Sequence, residues 1–512
     1  VAVIDIGANS IRMTIGQIDA AGDVHKLDTL SQQVGLGKDS FSKGYIKPET
    51  VEQCVRVLKS YRQILDEYQI TDPDQIRIVA TSAVREASNR LSFLSRVYVA
   101  TGFQIDPMDD SEVNRTTYLG IQPLLADERR FAQSQSLVIE VGGGTTVVLL
   151  LQNQNVTYAH TFRMGSLRLR KTLETYHAPA TKVRSIMEDH IRKIVEQVRV
   201  HVPQQRKLEL IALGGDIRYA ASQLDPNRDE SVLAEVSVDR LEKLTNEILS
   251  LSVDELVRKQ RLTFPEAETL GLALLTYTHV ARALELKNLF VSSANLRDGL
   301  LQQMAGPDAW SEDFKQQIVR SAVEMARRFH FDETHGLHVA KLSARLFSAL
   351  EHEHQLGSRY ELLLYLAALL HDIGYAVSTQ SHHKHSMYLI QNSELFGISK
   401  KDLLLIALLA RYHRRASPKP IHEGYASLDW QDRITVTKLA ALLRVADALD
   451  RSNKQRVKDI ECARENGQFV ISAESADDLS LEQLALQQKS ELFQEVFGMP
   501  VVLRSTSRAI ES

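Results

Sequence analysis

Residues 1–24 read VAVIDIGANSIRMTIGQIDAAGDV, and residues 137–156 follow the same plan as LVIEVGGGTTVVLLLQNQNV. Each segment is an apolar strand ending in an acid, a glycine turn, a second apolar strand and a polar turn. The repeat aligns Asp5 with Glu140, Gly7 with Gly142 and Ser10 with Thr145. Further strand and helix patterns follow each copy: a helix over 49–69, the strand 76–80 with a helix after it, a helix over 180–200, and the strand 208–214. Two α/β halves with the same opening hairpin predict a duplicated architecture with a ligand cleft between the halves.

At 512 residues the chain exceeds what one hydrophobic core supports, so several domains are expected. The texture changes near residue 305. Strand signals end with LFVSSANLRDGLL (289–301), and Gly306 and Pro307 mark a junction. From there to about 455 the pattern is helical, over 313–330, 335–353, 359–371, 400–413 and 434–449. A strand pattern at 468–474, a helix pattern at 480–496 and a closing strand MPVVLR follow. The expected domains are 1–125 and 126–305 (the α/β halves), 306–455 (all-α) and 456–512 (small α+β).

Composition excludes whole classes. With 25% charged and 44% apolar residues the chain reads as a water-soluble globular protein, not a disordered or collagen-like one. Cys54 and Cys462 stand too far apart in sequence to suggest a disulfide framework or a thiolate metal site. No apolar run approaches the roughly 18 residues of a membrane span. The chain opens on a core strand, with no basic stretch ahead of an apolar one, so the cytoplasm is the expected compartment and no membrane partner is expected. A net charge of -4 argues against nucleic acid as a partner. An anionic ligand would have to be held locally.

The hairpins offer the means. A glycine turn brings backbone N–H groups close to an anion because no Cβ intervenes. Gly7, Gly142, Gly143 and Gly144 supply such turns, with Asn9, Ser10 and Thr145 as side-chain donors. Asp5 and Glu140 stand at the strand ends, where a carboxylate can hold a cation or orient water. VATSAVREASN (79–89) puts Arg85 at a helix start suited to phosphate. FRMGSLRLRK adds Arg163, Arg168, Arg170 and Lys171, and IALGGDIRYA is a further strand–glycine–helix unit.

Together DIGANSIRM, TSAVREASN, DDSEVNRTTYLGI, IEVGGGTT, MGSLRL, ALGGD and NLRDGLL resemble the exopolyphosphatase / guanosine pentaphosphate phosphohydrolase (Ppx/GppA) family. The resemblance implies two actin-like, ribonuclease-H-like halves. It implies terminal phosphate release from phosphoanhydrides (inorganic polyphosphate or a guanosine polyphosphate), magnesium in the N-terminal cleft, and a homodimer. It also exposes departures. The family places its catalytic acid in Gly-x-Glu-Glu-Ala-Arg; with Arg115 as anchor, Val113 holds the base position and Glu112 is one residue off, turned about 100° on a helix. Val147 replaces an acid that closes the family's glycine loop, and Asp216 stands where the family has Thr. The catalytic candidates are therefore Glu112, Glu140 and Asp5, with Asp110 as another acid nearby.

Of 17 histidines, 11 fall between His330 and His422. His335, then LLLYLAALLHDIG with His371-Asp372, then HHKHS, RYHRR around His413, and RVADALDRS around Asp447 resemble the metal-dependent HD phosphohydrolase domain. By that resemblance His335, His371, Asp372 and Asp447 are metal positions, and His385 and His413 match the additional histidines of two-metal versions. Imidazole with carboxylate suits Mn, Fe, Mg or Zn. Arg411, Arg414, Arg415 and Lys419 are cations available to a phosphate. Three readings follow: a phosphohydrolase working in the N-terminal cleft, an HD phosphohydrolase whose N-terminal cleft binds a regulatory polyphosphate or alarmone, and a non-catalytic phosphate sensor.

Overall fold

A computed structural model describes residues 1–132, 134–175, 180–201, 207–229, 232–306, 312–414, 416–474 and 478–506. Pro307 and Arg415 lie outside the described residues. The chain forms two compact units, Val1–Ser311 and Glu312–Ser512.

The first unit holds two sheets. In the first, β1 (Ala2–Ile6), β2 (Ser10–Ile18), β3 (Val24–Gln33), β4 (Ile76–Ala80) and β5 (Asp106–Pro107) run in the order β3-β2-β1-β4-β5. The second contains β6 (Gln135–Val141), β7 (Thr146–Gln152), β8 (Asn155–Phe162), β9 (Leu208–Leu213), β10 (Ala234–Ser237) and β11 (Asn288–Val291), in the order β10-β11-β9-β6-β7-β8. Reading β8-β7-β6-β9-β11 against β3-β2-β1-β4-β5 gives the same topology twice, with β10 as an added edge. In each half an antiparallel hairpin continues into parallel strands. The central strands are near-continuous runs of Val, Ile and Leu, as strands covered on both faces require. Ala2, Ile4 and Ile6 lie in one core and Leu137, Ile139 and Leu210 in the other.

The turns after β1, β4, β6 and β9 all open at the carboxyl ends of parallel strands, where α/β sheets place their ligands. The helix Asp110–Asp127 crosses the expected boundary at 125. It starts with a capping box, in which the Asp109 side chain accepts from the Glu112 backbone and the Glu112 side chain from the Asp109 backbone. The stretch 289–301, expected as strand, is strand only to Val291. Asn295 then caps the helix Leu296–Ala305, with Asp298 completing a capping box. That helix packs against Asp110–Asp127 so closely that a Cβ on Gly299 would stand 1.9 Å from the Thr116 carbonyl oxygen.

The second unit is a helical layer with a small sheet. Trp430–Leu449 is its central helix, buried almost without break from Leu439 to Leu449. Glu333–Ala349, Ser358–Leu370 and Lys400–Tyr412 surround it. Strands β12 (Ile460–Glu465), β13 (Gln468–Glu474) and β14 (Val501–Thr506) form the sheet, with β13 and β14 parallel. A parallel pair needs a crossover, and the helices Ser480–Lys489 and Glu491–Phe497 supply it. The single helix expected over 480–496 breaks at Ser490. Residues after 455 pack on the helical layer, Ser480–Lys489 against Trp430–Leu449, inside the same compact unit. Among the described residues no helix is long and apolar enough to cross a membrane.

Candidate functional site

The first unit carries a cavity of about 270 Å³ lined by both hairpin turns. Asp5, Gly7, Asn9, Ser10 and Arg85 line it from one half, and Glu140, Gly142, Gly143, Gly144 and Thr145 from the other. The two turns have one geometry: the Gly7 N–H donates to the Ser10 carbonyl at 3.0 Å and the Gly142 N–H to that of Thr145 at 2.9 Å. A Cβ on Gly144 would meet Ser82 Oγ at 2.3 Å and the Phe41 ring at 2.4 Å, so a larger residue there would have to displace both side chains.

Asp5 is enclosed. Its Oδ1 is buried without a hydrogen-bond partner, and Oδ2 lies 3.7 Å from the Arg297 guanidinium. Burial raises its pKa against the pull of Arg297 and Arg12. Burial also raises the Glu140 carboxyl, opposed by Arg218 and reinforced by the negative field of Asp5. Thr117 Oγ1 donates to Glu140 Oε2 at 3.4 Å. Two largely enclosed carboxylates, the field of one raising the pKa of the other, fit a divalent cation in the cleft.

Glu112 does not belong to this cleft. Val113 lines it, whereas Glu112 faces a separate pocket beside Arg77, Met108 and Arg115. The capping box explains why: with Oε2 accepting from the Asp109 N–H at 2.8 Å, Glu112 is committed to the helix start. Arg85 lines the cleft but is engaged, donating to the Met108 carbonyl at 2.6 Å and pairing with Asp110. The basic cluster after Gly165 is similarly committed: Arg168 donates to the Gly144 carbonyl and to Glu86, both at 2.8 Å, and Arg170 and Lys171 pair with Glu174.

The cation that sequence reasoning missed is Arg12. It pairs across β1 and β2 with Asp5 and lines the cleft, and its positive field reaches Asp5, Glu140 and Asp216. Among the described residues no hydrogen bond or ion pair engages its guanidinium. A signal was present: in the buried strand Ser10–Ile18, the polar Ser10, Arg12 and Thr14 alternate with Ile11, Met13 and Ile15. Asp216, at the far wall of the cleft, is pushed up to about 6 by burial.

The second unit carries the histidine cluster. His335, His371 and Asp372 form one candidate ligand group, His371, His413 and Asp447 a second, and Asp372, His382 and His413 a third. His335 Nε2 stands 3.9 Å from Asp372 Oδ2 and 3.9 Å from Asp447 Oδ1; His371 Nε2 stands 3.4 Å and 3.8 Å from the same two oxygens. On the other side, Asp372 Oδ1 lies 3.3 Å from His382 Nε2 and 3.6 Å from His413 Nε2. The Asp372 carboxylate thus gives one oxygen to each of two neighbouring groups.

The imidazoles are held for this. Nδ1 of His371 and of His413 each donates to a backbone carbonyl at 2.6 Å, of Ala368 and Ala410, and His335 Nδ1 bonds Asp450 Oδ2 at 2.8 Å. Carbonyl acceptors fix the tautomer, so the Nε2 lone pairs of His371 and His413 face inward. His371 Nε2 and Asp372 Oδ1 are buried with no hydrogen-bond partner. Burial pushes His413 down to about 3 and keeps it neutral, as a ligand must be. Burial also opposes charge on Asp372, but the surrounding imidazoles lower its pKa overall. At His335 burial is outweighed by Asp450, Asp447 and Asp372, which raise it. Orphaned buried atoms, inward nitrogens and two carboxylates fit a pair of divalent ions.

His382 stands in this cluster; His385, the residue expected from HHKHS, belongs to none of the candidate groups and is half-buried one turn along. The helix His382–Gln391 begins at that residue and abuts the turn after Asp372, where a Cβ on Gly374 would lie 2.2 Å from the His382 carbonyl oxygen. Only a glycine admits the helix this closely, and its first residue is the one presented to Asp372. Asp450 and Lys489 were also missed. Asp450 lies one helical turn beyond Asp447; Lys489, 42 residues away, had no local signal.

Comparison with known proteins agrees with the fold. An exopolyphosphatase from Cytophaga hutchinsonii superposes with a TM-score of 0.53 at 21% identity, covering 59% of this chain and 97% of that one. An exopolyphosphatase-like protein superposes with a TM-score of 0.51 at 19% identity, covering 59% and 96%. Residues 14–307 match the model of the Ppx/GppA phosphatase family, and residues 319–495 match that of Ppx/GppA phosphatase domain III. The second match is to this family's domain III, an HD-type domain is not shown, and the match runs past residue 455. With more than half its length matched, the chain belongs to the Ppx/GppA phosphatase family.

Proposed function

We propose that the protein removes terminal phosphate from a phosphoanhydride chain in the cleft of the first unit. The observation that carries this reading is the unengaged Arg12 guanidinium in a cleft lined by two glycine turns and the acids Asp5 and Glu140. The N–H groups of Gly7 and of Gly142–Gly144, with Asn9, Ser10 and Thr145, bind phosphoryl oxygens, and Arg12 takes up their charge. Asp5, with its unpartnered oxygen, would hold a divalent ion such as magnesium with Glu140 opposite. Such an ion supplies charge stabilisation at the phosphoryl oxygens. With Val113 at the family's base position, Glu140 is the acid on the cleft wall left to take the proton of the attacking water. Water adds to the terminal phosphorus, the bond to the bridging oxygen breaks, and the shortened chain leaves with that oxygen.

A second reading rests on Asp372, shared between two buried imidazole groups: the second unit holds two divalent ions and is the phosphohydrolase, while the first-unit cleft regulates. One experiment separates the readings. Phosphate release from polyphosphate and from guanosine pentaphosphate is measured for the wild type, Glu140→Gln, and His371→Ala with Asp372→Ala. Loss of about a hundredfold or more in Glu140→Gln alone supports the first reading. Loss in the double variant alone overturns it in favour of the second.

A further inference from the structure

Lys489 is the residue of the second unit that no motif foreshadows. It ends the crossover helix Ser480–Lys489, next to the small sheet, and its ammonium pairs with Asp447 Oδ2. The other oxygen of that carboxylate, Oδ1, faces His335 and His371 at 3.9 Å and 3.8 Å. Both partners are largely enclosed, Lys489 at 14% exposure and Asp447 at 9%. One buried carboxylate therefore serves the imidazole cluster with one oxygen and a fixed cation with the other.

A buried ion pair is weak evidence for stability, because the cost of removing two charges from water offsets most of their attraction. The position of this pair suits a different use. An ammonium bonded to a ligand carboxylate draws charge from that ligand and sets a like charge close to a divalent ion; both effects lower metal affinity. The same ammonium adds to the positive charge that a phosphoryl group meets there. Asp372 is the most exposed ligand of the cluster, at 24%.

We propose that Lys489 is a working member of this centre, a positioning cation on Asp447 that gives up metal affinity in exchange for affinity toward a phosphoryl anion. The inference rests on the metal-centre reading of the cluster. It assigns a role in the centre to the sheet-bearing end of the chain, beyond the ligand-bearing helices.

Titration calorimetry of the full-length protein tests it, with manganese alone as the first probe and inorganic phosphate on the manganese-loaded protein as the second. In Lys489→Met manganese binds more tightly and phosphate more weakly, each by about tenfold, the scale on which groups behind metal ligands act. Lys489→Arg keeps both affinities near wild type. Opposite shifts are the signature, since a residue that merely holds the fold would move both affinities down together. Weaker or unchanged manganese binding in Lys489→Met, or unchanged phosphate binding, overturns the proposal. If Lys489→Met fails to fold, Lys489→Gln, which keeps a donor but no charge, must show the same opposite shifts. A wild type that binds no manganese sinks the metal-centre reading and this inference with it, which is a distinct result from a wild type that binds while the variant behaves identically.

Discussion

Glu112 and Val113 are adjacent in sequence and do unlike things. The helix start claims Glu112 for its capping box with Asp109, and the cleft receives Val113. Replacing Glu112 by Ala should cost about 0.5 kcal/mol of stability in urea unfolding, the scale of one capping-box contact, and leave tripolyphosphate affinity unchanged. Arg12→Ala should do the reverse. Calorimetric affinity for tripolyphosphate should fall about tenfold or more, the loss of a charge-assisted contact, with the unfolding midpoint little altered. Asp216 adds a pH signature. Burial lifts its carboxyl from 3.8 to about 6, so the folded protein binds its proton more tightly than the unfolded chain does. Stability is then favoured at low pH and declines as pH rises through that interval, with the cost complete above it. Asp216→Asn should therefore raise the urea midpoint at pH 7.5 and leave it unchanged at pH 3.5.

Two glycines set the placement of whole elements. Gly299 lets Leu296–Ala305 lie against Asp110–Asp127, and Gly299→Ala should destabilise the protein by about 3 kcal/mol in urea unfolding, because the Thr116 carbonyl is backbone and cannot turn aside. Gly374→Ala should push the helix His382–Gln391 off the Asp372 turn. The expected result is loss of at least one bound manganese per chain by elemental analysis, with far-UV circular dichroism unchanged. Such elements were partly legible in sequence. Strand 76–80 and the helices around 180–200 and 434–449 follow from hydrophobic period alone, since each buries a regular face. The hairpin repeat was legible for the same reason. Which of His382, His383 and His385 faces Asp372 was not, because three histidines in four positions share one polarity and the helix start decides among them. The engagement of Arg85 and Arg168 was equally hidden, since ion pairing depends on residues 25 and 82 positions away.

At the scale of the molecule, the duplication is faithful in topology and unequal in charge. The register that sets Asp5 opposite Arg12 sets Glu140 opposite Val147. One copy of the hairpin kept a cation, and its twin carries an apolar side chain at the matching place. A cleft with two equal walls would accept a linear anion in either sense. This one has an arginine on one wall and a valine at the matching place on the other, so a chain with distinguishable ends has a preferred direction of entry. A duplicated scaffold has in this way acquired polarity, and one strand position in each copy, 12 and 147, is enough to write it.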